Sequence, residues 1–153
     1  MAVNGIKVIS TNKKAFHNYE IGEKWEAGIA LKGTEVKALR DGRVNLSDGW
    51  VNITDDLEAV LMEIQIGHYA FGNIMNHEER RNRKLLLHGQ ELTKIAKQIK
   101  QKGLSIVPIR IYFKGSFIKV EIAVGRGKKS HDKRESSKEK DAKRELARTM
   151  RGR

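Results

Sequence analysis

The chain has no cysteine, a single proline at Pro108, and only two tryptophans, three tyrosines and four phenylalanines among 153 residues. Without cysteine there can be no disulfide, no thiolate nucleophile and no thiolate metal site. No run of about 18 apolar residues occurs, so no membrane-spanning helix is expected. The opening stretch from Met1 to Lys7 lacks the apolar core of a signal peptide, and the expected compartment is the cytoplasm. On that reading the triplets Asn45-Leu46-Ser47 and Asn52-Ile53-Thr54 are chance matches to a glycosylation signal. The histidines at 17, 68, 77, 88 and 131 show no metal-binding spacing, so neither metal nor other cofactor is expected. Gly125-Arg126-Gly127-Lys128-Lys129-Ser130 superficially resembles a phosphate-binding loop. That loop needs glycine where Ile122 stands, and serine or threonine where Lys129 stands. No serine sits in a nucleophile motif. No catalytic residue is expected, and the chain reads as a binding protein rather than an enzyme.

What the chain has in surplus is positive charge. Lysine and arginine total 31 against 19 acidic residues, for a formal charge of +12. A polyanionic partner follows naturally, because neutralising phosphates releases their condensed counterions. The charge is also clustered: residues 126–153 carry 12 basic and five acidic side chains. The composition therefore divides the chain into a body, 1–125, and a basic tail, 126–153.

The body reads mostly as strands. Ile6-Lys7-Val8-Ile9 is a short apolar start, and Trp25, Ala27, Ile29 and Leu31 alternate with the period of a half-buried strand. Residues 57–66 are strand-like and apolar. Residues 104–112 and 117–124 form two further strands joined through Lys114-Gly115-Ser116, with Pro108 arguing for an edge position or a bulge. Gly33 to Arg40 suggests one or two helical turns closed by Asp41-Gly42. A clear helix runs over 90–102, where Leu92, Ile95, Ala96 and Ile99 form a stripe and Gly103 is the natural stop. Its lysines at 94, 97, 100 and 102 suit a solvated face at least as well as an RNA contact. Such short strands with glycine turns suggest a small barrel or sandwich. Trp25, Phe113 and Phe117 are expected in the core, whereas an exposed Trp50 or Tyr69 could stack on a base.

The tail has few apolar residues: Ala142, Leu146, Ala147 and Met150. Ser136 and Glu139 have capping-box spacing, and Glu139 with Lys143 is a favourable helical pair. Such a segment buries too little surface to fold alone, so disorder in isolation and a helix on an anionic surface are expected.

Five collinear segments then carry a resemblance. They are Asn12-Lys13-Lys14-Ala15-Phe16-His17, Glu26-Ala27-Gly28-Ile29, Gly33 to Arg40, Arg83-Lys84-Leu85-Leu86-Leu87-His88, and Gly127 to Arg134. They run from residue 12 to residue 134, and on them the chain, over roughly residues 6–150, resembles the small protein B (SsrA-binding protein) family of bacterial trans-translation. The resemblance implies a mainly β fold: an OB-like, six-stranded closed β-barrel with flanking α-helices. It implies binding to the tRNA-like domain of transfer-messenger RNA, and delivery of that RNA with elongation factor Tu to stalled ribosomes. The protein would act as a monomer. Its tail would enter the small subunit's vacant mRNA channel near the decoding centre. One departure is visible, since residues 78–83 lack the prolines this loop usually carries.

The residues carried over as RNA-binding are Asn12, Lys13, Lys14, Glu26, Leu86 and Lys119. Lys119 alternates with Ile118 and Val120, so its ammonium should face outward to a phosphate. Glu26 and Asn12 can meet base edges or 2′-hydroxyls, and Leu86 is placed equally well in an RNA contact or in the core. The ribosome-contacting set is Arg126, Gly127, Lys128, Lys129, His131, Asp132, Lys133 and Arg134. There Gly127 would let the chain turn away from the barrel, and the His131 ring could stack on a nucleotide. The competing reading is a general basic RNA- or ribosome-associated protein without a dedicated RNA.

Overall fold

The computed structural model describes residues 5–68, 76–101 and 103–128. In chain order the elements are β1 (Ile6–Thr11), α1 (Lys13–Asn18), β2 (Tyr19–Ile29), α2 (Gly33–Arg40), β3 (Val44–Asn45) and β4 (Trp50–Ile53). There follow β5 (Ala59–Met62), β6 (Gln65–Ile66), β7 (Arg83–Leu86), α3 (Gly89–Ile99), β8 (Leu104–Lys114) and β9 (Phe117–Gly127). The fold is mainly β with flanking helices, as expected. No helix among the described residues is long and apolar enough to cross a membrane.

The six-stranded closed barrel is not what the chain builds. Seven strands form one antiparallel sheet in the order β1-β8-β9-β2-β7-β5-β4, and β3 pairs with β6 in a separate ribbon. The edge strands β1 and β4 do not pair with each other. The sheet curls until β4 packs against β8, but no ladder of hydrogen bonds closes the seam. The physical reason lies in strand length. β1 reaches only as far as the Thr11–Arg110 pair on β8, and the chain then turns into α1.

Pro108 sits where β1 stops. β8 lies between β1 and β9, but β1 has ended by Pro108 and the β8–β9 register slips between Pro108 and Arg110, so the proline meets both a locally open edge and a bulge. The apolar stretch 57–66 is likewise two strands. Glu63 takes a positive φ of 61° and breaks it into β5 and β6.

Alternation decides which faces are buried. Trp25 and Ala27 on β2, Ile106 and Ile111 on β8, and Val120, Ile122 and Val124 on β9 enter one core. Leu39 of α2 and Ile95 of α3 close over it. Both helices begin with a carboxylate at the third position accepting a backbone N–H: Glu35 from Lys32 at 2.8 Å and Glu91 from His88 at 3.1 Å. Leu92, Ile95 and Ile99 form the expected stripe, though α3 ends three residues before the sequence pattern suggests. A smaller cluster on the opposite face of β8 and β9 packs Ala15 of α1 against Val107, Ile109 and Ala123.

The loop before β7 is held by an ionic group at its base. Glu35 and Arg83 are both fully buried. Arg83 donates from Nε to Glu35, from Nη1 to the carbonyls of Ile64 (3.2 Å) and Arg81 (2.9 Å), and from Nη2 to those of Glu79 (3.0 Å) and Glu78 (3.4 Å). All five guanidinium protons thus have acceptors. Arg81 adds a second bond to Glu35. Burial alone would raise the Glu35 carboxyl, but hydrogen bonds from Arg81, the Lys32 N–H and Arg83 hold it below the ordinary carboxylate range. His77 is 2% exposed. Its Nε2 donates to the Ile66 carbonyl at 2.9 Å, which leaves Nδ1 to accept from the Thr34 hydroxyl at 2.8 Å.

Candidate RNA interface

With Trp25, Ala27, Val120 and Ile122 turned inward, their neighbours on β2 and β9 must face out. The register aligns those outward residues into rows. Glu26 pairs with Glu121, and Glu121 with Arg110. Gly28 pairs with Lys119, and Lys119 with Tyr112. On its other side Gly28 pairs with Leu86 of β7. Three residues distant in sequence, Glu26, Leu86 and Lys119, thereby line one shallow groove, with His88 and Glu91 from the start of α3 at its rim.

The carboxylates on this face are held rather than free. Glu26 accepts from the Tyr112 hydroxyl and, at 3.1 Å, from the Lys114 ammonium. The Tyr112 hydrogen bond, aided by Lys114 and Lys119, keeps Glu26 below the ordinary carboxylate range against the opposing effect of burial. Burial and the neighbouring Glu26 push the Tyr112 phenol far up, so it stays a donor. Glu121 takes a 2.8 Å hydrogen bond from Arg110, which also lies 5.6 Å from the centre of the Tyr112 ring. Two like charges in register, Glu26 and Glu121, are thus each given a separate cation. The face offers fixed acceptors beside lysines, which suits an RNA edge and its phosphates better than a bare phosphate track.

Leu86 is 57% exposed, which resolves its placement in favour of the open face. Asn12 lies elsewhere. It is 3% exposed and caps α1, its Oδ1 accepting from the Ala15 N–H at 3.1 Å. Its Nδ2 donates to the carbonyls of Leu46 (3.1 Å) and Pro108 (2.9 Å). The expected reader of base edges therefore has its polar atoms spent inside the protein. Asn12 and Lys14 line a second, separate groove with Trp50, which is 42% exposed. Lys13 is exposed on α1, and Lys14 reaches Asp48 at 3.5 Å.

Of the tail residues, Arg126 and Gly127 are the last rungs of β9, paired with Glu20 and Tyr19 of β2. Gly127 is extended, so the turn expected of it does not occur there. Lys128 donates its N–H to the Asn18 carbonyl at 2.9 Å and its ammonium to that of Phe16 at 3.3 Å. Lys129, His131, Asp132, Lys133 and Arg134, the expected tail helix, and Tyr69 lie outside the described residues.

Sequence reasoning missed Tyr112, Lys114 and Phe117 on the open face. The signal was present: a two-residue Gly115-Ser116 turn sets the β8–β9 register, which puts 112, 114, 117, 119 and 121 on one side. Phe117, expected in the core, is 70% exposed, while Phe113 is half-buried and Trp25 buried as expected.

Known proteins share this chain almost end to end. The family model described as SmpB protein matches residues 9–152. The SsrA-binding protein of Chlamydia muridarum is 53% identical over 145 residues, covering 95% of each chain. That of Geobacter sulfurreducens is 50% identical over 147 residues, covering 96% of this chain and 95% of its own. Among solved structures, a chain described with the words "tmRNA-SmpB: a journey to the center of the bacterial ribosome" is 43% identical. It superposes with a TM-score of 0.69 over 84% of this chain and 93% of its own. With a family match across nearly its whole length and relatives at half identity, the chain belongs to the SmpB family of SsrA-binding proteins.

Proposed function

We propose that this protein binds the tRNA-like domain of transfer-messenger RNA and delivers it to stalled ribosomes for trans-translation, in the bacterial cytoplasm and without catalysis of its own. The observation that carries the reading is the convergence of Glu26, Leu86 and Lys119 in one groove of an SmpB-family sheet. Fixed acceptors at Glu26, an apolar wall at Leu86 and a cation at Lys119 provide three different contacts in one site. The curled sheet serves as an OB-like platform for that RNA.

In this reading Lys13 and Lys14 meet phosphates, and Asn12 contributes by fixing the start of α1. The tail beyond Lys128, with Lys129, His131, Asp132, Lys133 and Arg134, enters the empty mRNA channel near the decoding centre. Its surplus of charge supports contact with ribosomal RNA. The protein works as a monomer within a delivery complex that contains elongation factor Tu.

Comparative binding tests the reading against that of a general basic RNA-binding protein. The tRNA-like domain should bind at least about a hundredfold more tightly than an unrelated structured RNA at equal salt. Glu26→Ala and Lys119→Ala should each erode that ratio. Truncation after Lys128 should preserve the binding while abolishing tagging of stalled chains. Equal affinity for both RNAs, or tagging by the truncated chain, would overturn the respective half of the proposal.

A further inference from the structure

The most exposed large apolar side chain among the described residues is Phe117, at 70%. A phenyl ring gains nothing from water, and no fold requirement puts one here, because Ile118 and Val120 already supply the buried side of β9. Its place on the open face is specific. Phe117 is the register partner of Lys114, whose ammonium reaches Glu26, and it precedes Lys119 by one pleat, about 7 Å along the strand. Gly115, at φ +61°, closes the two-residue turn that carries the ring to the end of the β8–β9 hairpin.

We infer that Phe117 is a stacking platform for an unpaired nucleobase of the bound RNA, with Lys119 and Lys114 flanking it to hold the adjoining backbone. This inference rests on the proposed RNA reading of the open face and adds a contact to it. A ring flanked by two cations matches a nucleotide, which is a flat π-system joined to an anion. Paired bases in a helix are already stacked on both sides, so the site selects a looped-out or terminal nucleotide.

The experiment compares binding of the tRNA-like RNA domain by Phe117→Ala, Phe117→Leu and Phe117→Trp over a range of salt, alongside Lys119→Ala. Stacking predicts that Ala and Leu both weaken binding roughly five- to a hundredfold, while Trp keeps it near the parent value. The salt slope should stay unchanged in all three, because the ring neutralises no phosphate, whereas Lys119→Ala should lower the slope by about 0.7 to 0.9. Unfolding midpoints should stay near the parent's, since the ring is mostly in solvent. If Leu binds as tightly as Phe, the contact is apolar rather than stacked and the inference fails. It also fails if Phe117→Ala leaves RNA affinity intact but impairs tagging, which would assign the ring to a protein partner. Loss in Lys119→Ala with no loss at Phe117 sinks this inference alone; no loss in either removes the RNA reading of the face itself.

Discussion

Leu86 and Lys119 are register partners of the same residue, Gly28, one from each flanking strand. The missing side chain at Gly28 is what leaves a groove between them, since a Cβ there would stand 3.2 Å from the Leu86 Cβ. The site is thus made by a subtraction in the middle of a row.

Gly28→Val should fill that groove. A β-branched residue suits a strand, but its Cβ would crowd Leu86 at 3.2 Å, so a stability loss of about 1–3 kcal/mol is expected and affinity is read well below the unfolding midpoint. Affinity for the tRNA-like domain should fall at least about tenfold, or ~1.4 kcal/mol. Parallel titration and urea unfolding separate these effects, and a variant that binds normally would show the groove to be unused.

Arg83→Ala should cost about 3–5 kcal/mol in urea unfolding, because it leaves Glu35 buried with one of its two arginines gone and takes the guanidinium from the Ile64 and Arg81 carbonyls. Arg83→Met combined with Glu35→Leu should recover much of the loss, since no uncompensated buried charge remains at Glu35. Two separate losses that simply add would contradict the coupling seen between the side chains.

The depressed Glu35 carboxyl also makes a pH signature. Its folded value lies below the ordinary 4.5, so the folded state favours the charged form. The resulting stability is complete above about pH 4.5 and is lost as the pH falls through the folded value. Glu35→Gln should be less stable than the parent at neutral pH, with the gap closing on acidification. Curves that remain parallel from pH 6 to pH 3 would rule this out.

Asn12→Ala should cost about 1–3 kcal/mol, through a lost helix cap and the lost amide bonds to the Leu46 and Pro108 carbonyls, the former keeping the Gly49 N–H at 2.9 Å. RNA affinity measured well below the unfolding midpoint should fall only slightly. A large loss of affinity in a fully folded variant would instead restore a direct contact for Asn12.

Much of this was readable from residues alone. The period-two stripe through Trp25 and Ala27, the helix over Leu92 to Ile99 and the β8–β9 hairpin all announce themselves through local spacing. Strand count and closure do not, because they depend on which distant edges meet. Burial of Arg83 was equally invisible: an arginine among arginines in 80–83 gives no sign that its five donors will be enclosed by the Glu35 carboxylate and by carbonyls of Ile64 and of residues 78–81. Asn12 failed for the opposite reason. Its residue type fits both an RNA reader and a helix cap, and only the positions of Leu46 and Pro108 decide between them.

The pairing of β1 has a consequence for how the molecule is made. Among the described residues β1 pairs with β8 alone, as in the Ser10–Ile111 pair. During synthesis the first strand therefore emerges with no complement and waits until nearly the whole body has been translated. β8 and β9, by contrast, are neighbours in sequence and can zip at once. Loop-closure entropy therefore favours the β8–β9 hairpin forming ahead of the β1–β8 pairing, which has no strand to close on until β8 has been made.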